Sequence, residues 1–156
     1  MKNRIRIQRP IHSSRLFLAI LTLFACVACT VRFVSEYDDV VDHSTTELQK
    51  RVETFVRNME TEAGTPEGEY ENNKKVYDEL LADVNAIKVR ASAATKNDIT
   101  VEQIELVGKN IEDLKKLHVH GGNTGLRASV ADPALVLLNV EFTAIIKFEL
   151  AKKRGK

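Results

Sequence analysis

The chain has 156 residues, 44% hydrophobic and 29% charged, with 23 Lys plus Arg against 22 Asp plus Glu. That length supports one domain and hardly two. The near-neutral balance hides an uneven distribution, because the first 15 residues carry five cations (Lys2, Arg4, Arg6, Arg9 and Arg15) and no acid.

Residues 16–28, LFLAILTLFACVA, follow that basic stretch and are uncharged and almost wholly apolar. A basic start, an apolar run of roughly 7–15 residues and small residues before a cut make the pattern of a secretory signal peptide. The run is shorter than the roughly 20 residues a helix needs to cross hydrocarbon, and Arg32 stops it. An uncleaved signal anchor is the alternative. Cys26 and Cys29 are spaced C-x-x-C here. A redox dithiol needs a βαβ setting, a zinc site needs about four ligands, and haem attachment needs a His where Thr30 stands.

Cys26-Val27-Ala28-Cys29 resembles a bacterial lipobox. The resemblance implies cleavage before Cys29, diacylglycerol on its thiol and an acyl chain such as palmitate on its new amine. Cys26 stands where Leu is usual, and Leu23-Phe24-Ala25-Cys26 is the competing cut. Each buried CH₂ adds roughly 0.8 kcal/mol, and two or more chains hold a protein on a bilayer stably. In Gram-negative lipoproteins an Asp after the lipidated Cys resembles an inner-membrane retention signal. Thr30 stands there instead, which points to the outer membrane and a periplasm-facing domain. The expected organisation is a signal peptide over 1–28, a short tether over 29–34 and a helical domain over 35–156.

Removing the five leader cations turns 23 against 22 into 18 against 22, a net charge of −4. An acidic mature chain without a basic patch argues against nucleic acid as a partner. Once Cys29 is acylated, no thiol remains for a disulfide or a nucleophile.

From Val34, a seven-residue recurrence of Val34, Val41, Leu48 and Phe55, with Thr45, Val52 and Met59 between, predicts a long helix with a and d positions. Asp38 interrupts the series, and Ser35 with Asp38 reads as a capping box. Gly64, Thr65 and Pro66 read as a helix end followed by an N-cap and first-turn proline. The second helix carries Tyr70, Tyr77, Val84 and Ala91 at one heptad position and Leu80, Ile87 and Ala94 at the other, with Asn73 the exception.

Thr100 and Gln103 read as a capping box, and Ile99 with Ile104 as a hydrophobic staple, opening a third helix with the stripe Ile104, Val107, Ile111 and Leu114. His118, His120 and Gly121-Gly122 close it. Asp132-Pro133 reads as the start of a fourth helix, whose residues 134–151 carry only three charges. Its β-branched content raises a strand as the alternative, but its length without a turn favours a helix. A helix apolar on most faces is expected to be buried on most faces, hence at the centre. Four helices with short connections predict an all-α antiparallel up-and-down bundle.

His43, His118 and His120 are the histidines of the mature chain. His118 and His120, two apart, diverge by about 200° on a helix and chelate nothing together while the helix lasts. They read as cations favouring a helix C-terminus. Asp39 and His43 have a chelating i, i+4 spacing but read as a solvated first turn. A metal or small-ligand carrier using His43, His118 and His120 is therefore the alternative reading. No G-x-S-x-G and no E-x-x-H pair is present, and HGGNTG follows a helix and lacks the lysine of a phosphate loop. No catalytic, cofactor or metal site is expected.

SEYDDVVDHSTTELQK (35–50) and FTAIIKFELAKKRG (142–155), with the leader, resemble a group of small, uncharacterised proteobacterial lipoproteins. The similarity spans most of the mature chain. It implies the lipid-anchored address and a helical domain, and it carries over no functional residues. The expectation is a protein-interaction or structural module of the cell envelope, bound to membrane through Cys29 and to an envelope protein through its helices.

Overall fold

The heptad-patterned segments fold as four α-helices in the computed structural model, which describes residues 33–155: α1 Asp39–Thr61, α2 Tyr70–Ser92, α3 Asp98–Gly121 and α4 Ala128–Arg154. Two short 3₁₀ turns, Pro66–Gly68 and Gly122–Thr124, lie in the first and third connections. Helices adjacent in sequence are adjacent in space, and α1 closes the ring against α4. The result is the expected all-α up-and-down bundle. Residues 1–32, which hold the stretch expected to be a signal peptide and both cysteines with the lipidation expected at Cys29, lie outside the described residues. Among the described residues no helix is long and apolar enough to cross a membrane.

The heptads are the core. Val41, Leu48, Phe55, Thr45, Val52 and Met59 of α1 are buried, as are Tyr77, Leu80, Val84, Ile87 and Ala91 of α2. Ile104, Val107, Ile111 and Leu114 of α3 join them. Burial of each large apolar side chain contributes roughly 1.5–3 kcal/mol, offsetting the entropy of ordering the chain.

The helix starts depart from the expected ones, each for a local reason. α1 begins at Asp39 rather than near Ser35, because the Asp38 carboxylate accepts from the Val40 and Val41 N–H groups at 2.9 and 3.3 Å. Ser35 is drawn away to Asn97. Thr65 and Pro66 open only a 3₁₀ turn, since the Thr65 hydroxyl donates back to the Glu62 carbonyl at 2.9 Å. Asn73 breaks the α2 stripe because its amide donates to the Glu67 and Glu69 carbonyls at 2.6 and 2.9 Å.

Thr100 does not cap α3. The helix starts two residues earlier, Thr100 is buried inside it, and its hydroxyl turns to Glu149. Ile99 is half exposed, so the staple does not form, and the side-chain oxygen of Gln103 is buried without a hydrogen-bond partner.

α4 starts five residues before Pro133, which therefore sits inside the helix and leaves the Ser129 carbonyl without its usual N–H partner. The same helix corrects a second expectation. It is not central but one of four corners. Ala131, Leu135, Leu138, Phe142, Ile145, Glu149 and Lys152 face the core in a strict four-three spacing. Val136, Leu137 and Val140 are 65%, 48% and 63% exposed on its outer side.

Candidate functional site: two closed polar poles and one open face

At the pole where α1 begins, polar side chains from four segments close on one another. Lys152, near the end of α4, directs Nζ at Glu149 Oε1 (2.5 Å), Asn97 Oδ1 (2.7 Å) and Thr100 Oγ1 (2.9 Å). Three donors are all an ammonium has. Thr100 donates to Glu149 Oε1 at 3.0 Å, Ser35 donates to Asn97 Oδ1 at 2.8 Å, and the Asn97 amide donates to the Ala91 carbonyl at 2.8 Å. The Asp38 N–H lies 3.4 Å from Glu149 Oε2. Taking two charges out of water costs several kcal/mol per ion unless the remaining lone pairs and protons are bonded. Here they are bonded, so the cluster holds as a unit.

That unit fixes the segment leading into α1. The Ser35 N–H donates to the Lys96 carbonyl at 2.9 Å, and Lys96 adopts a φ of 61°. Such a left-handed conformation is uncommon outside glycine. Arg90 Nε donates to Asp38 at 2.7 Å from the end of α2. Burial is the largest single influence on the Asp38 carboxyl and pushes its pKa up. The Arg90 guanidinium and the two helix N–H groups together outweigh it and hold the carboxyl below its usual range.

The opposite pole holds a second closed group. His118 Nε2 lies 2.8 Å from the Gly68 carbonyl, and Nδ1 lies 3.0 Å from the Tyr77 hydroxyl. A carbonyl only accepts, so Nε2 carries the proton and Nδ1 accepts from Tyr77. This fixes one neutral tautomer. Burial lowers the His118 pKa, with the bond to Gly68 acting against it, and burial raises that of Tyr77. His118 is therefore not the cation at a helix end that its position suggests. The Tyr70 ring sits 5.9 Å from His118, and Phe55 meets Tyr77 edge-on at 4.9 Å.

Backbone packing there leaves no room for side chains. A Cβ on Gly68 would fall 2.2 Å from the Glu62 carbonyl oxygen. A Cβ on Gly125, where φ is 59°, would fall 2.6 Å from the Gly68 oxygen.

The structure does not gather the three histidines. His43 lies in the second turn of α1, His118 is enclosed at the far pole, and His120 is exposed with Nδ1 at 2.7 Å from the Lys116 carbonyl. Asp39 and His43 share an exposed surface at the start of α1. Among the described residues no group of three or more His, Cys, Asp or Glu is placed to hold a metal ion.

Grooves open between neighbouring helices, among them one of about 320 Å³ between α2 and α3, lined by Leu81, Val84, Lys88, Glu105, Gly108 and Glu112. The α1–α2 groove, about 330 Å³, has Val41, Leu48 and Ile87 on its floor and paired charges on its rim, Arg51 with Asp83 and Arg90 with Asp38. The α3–α4 groove, also about 330 Å³, is mainly apolar, lined by Leu114, Leu117, Val130, Pro133, Ala134 and Leu137. It runs onto the outer face of α4, where Pro133, Val136, Leu137, Val140, Thr143 and Ala144 continue without a charge. Comparison with family models, with curated proteins and with solved structures finds no match for this chain.

Proposed function

We propose that this chain is a lipid-anchored helical lipoprotein of a bacterial envelope. Acyl chains on Cys29 tether it to the periplasmic side of a membrane, the outer one on the reading of Thr30, and its bundle acts as a protein-interaction or structural module. The leader and the lipobox resemblance support the address. The observation that carries the activity is the outer face of α4, where Val136 and Val140 are more than 60% exposed in an uncharged apolar stripe. Contiguous exposed apolar surface rimmed by polar residues marks an interaction site.

Both buried polar clusters have their donors and acceptors taken up internally, which favours a structural role for them over catalysis. The experiment has two arms. Intact mass of the cellular form is expected to show a chain beginning at Cys29 with diacylglycerol and a third acyl chain, and retention of Met1 or a free Cys29 thiol sinks the address. Cross-linking in intact envelopes is expected to give protein adducts that Val140→Glu removes. Adducts indifferent to that change sink the role given to α4.

A further inference from the structure

α4 has two seams. The inner one, Ala131, Leu135, Leu138, Phe142, Ile145, Glu149 and Lys152, is filled by the bundle. The outer one, Pro133, Val136, Val140, Thr143 and Lys147, repeats at three-four spacing on the opposite side. Such spacing is what a second helix packed at about 20° requires. The charges bounding this seam differ in sign. Asp132 stands at one end, and Lys147 stands 15 residues on, about 22 Å at 1.5 Å per residue.

Lys147 is exposed and takes part in no ion pair among the described residues. Asp132 is more than half exposed while bonded to Arg57 at 2.7 Å. We infer that the outer seam of α4 binds the same seam of a second copy, antiparallel, with Val140 facing Val140 across a two-fold axis and Lys147 of each copy facing Asp132 of the other. This rests on the interaction-module reading and names its partner.

The charges choose the direction. An antiparallel copy places position 147 opposite position 132 or 133 and position 136 opposite 144. A parallel copy places Asp132 against Asp132 and Lys147 against Lys147, and like charges in contact destabilise. A two-fold interface is self-complementary and closes on itself, so each attractive pair is made twice. Val136, Val140 and Ala144 are small enough for the helices to approach closely, and Leu137 with Leu117 extends the apolar area into the α3–α4 groove.

The test is the association state of the full chain in a mild detergent, by analytical ultracentrifugation. Wild type is expected to dimerise and Val140→Glu to be monomeric. Lys147→Glu sets two acids against two acids and is expected to weaken the dimer about tenfold, in line with two exposed ion pairs reversed. Asp132→Lys alone should weaken it similarly, and the two together should restore it. Circular dichroism of each variant checks that the bundle is intact, and all three positions are exposed. A monomeric wild type overturns the dimer. A dimer indifferent to Lys147→Glu, or not restored by the double change, overturns the antiparallel register. If wild type is monomeric while Val140→Glu still removes an envelope adduct, the dimer falls and the interaction-module reading stands. If Cys29 proves unmodified while the charge swap behaves as stated, the address falls and the dimer stands.

Discussion

Lys152 Nζ and Glu149 Oε1 lie 2.5 Å apart, one turn from each other on the inner seam of α4, with both side chains sealed from solvent. The ladder of bonds from this pair through Thr100 and Asn97 to Ser35 joins the end of α4, the start of α3 and the segment before α1.

Removing one member of the pair is far worse than removing both. Lys152→Met leaves the Glu149 carboxylate enclosed with only the Thr100 hydroxyl and the distant Asp38 N–H, and is expected to cost about 3–5 kcal/mol. Glu149→Leu combined with Lys152→Met is expected to recover much of that. Urea denaturation with an unchanged slope measures both, and equal midpoints for the single and double variants would contradict the account.

His118 makes stability depend on pH. Its folded pKa lies below the unfolded value of about 6.5. The unfolded chain therefore binds more protons than the fold between the two values. The stabilisation is complete above about pH 6.5 and declines as pH falls towards the folded pKa. The unfolding free energy of wild type is expected to drop between pH 7 and 5. The fall is expected to be shallower in His118→Gln, which does not titrate there; parallel profiles would refute the assignment.

Asp38 acts in a lower window. Its folded pKa is depressed, so its stabilisation is full above the unfolded value of about 4 and is lost as pH falls through the folded one. Asp38→Ala removes the α1 cap and is expected to cost about 1 kcal/mol at pH 7. The difference from wild type should shrink below pH 4 in thermal melts, and a gap unchanged at pH 2.5 would argue against the charged cap.

Glycine requirements differ sharply within one short region. Gly68→Ala drives a methyl into the Glu62 carbonyl and is expected to destabilise by about 1–3 kcal/mol. Gly121→Ala, at helical φ and with only Thr124 Oγ1 near at 3.7 Å, is expected to be neutral or slightly stabilising. Melting temperatures of the two variants should separate clearly; equal values would show that the contact relaxes freely.

The bundle was legible because the seven-residue recurrence is a direct consequence of one buried face per helix. Val41 to Met59 and Ile104 to Leu114 needed nothing beyond spacing. Caps depart from the local pattern where a capping side chain finds a stronger tertiary partner. Thr100 has the right neighbours for a box, yet Glu149 and Lys152 lie across from it and take its hydroxyl. No local pattern announces a partner some 50 residues away.

Both polar clusters could have been found by continuing the seams. The step from Ile145 by four and then three lands on Glu149 and Lys152, and the step from Leu114 by four lands on His118. Charged and imidazole residues at core positions are the signal that polarity would have masked. The outer face of α4 was visible as excess apolar content, but only the packing shows that the bundle leaves it uncovered.

The junction at Ser35 has a mechanical corollary. Load applied to the chain upstream of Val34 meets the Lys96 carbonyl and the Asn97 amide before it reaches the first turn of α1. Ser35 is bonded to the α2–α3 loop, and through Asn97 to Lys152 in the last turns of α4, before the first turn of α1 begins. Tension reaching Val34 is expected to load these segments together and not the end of one helix alone.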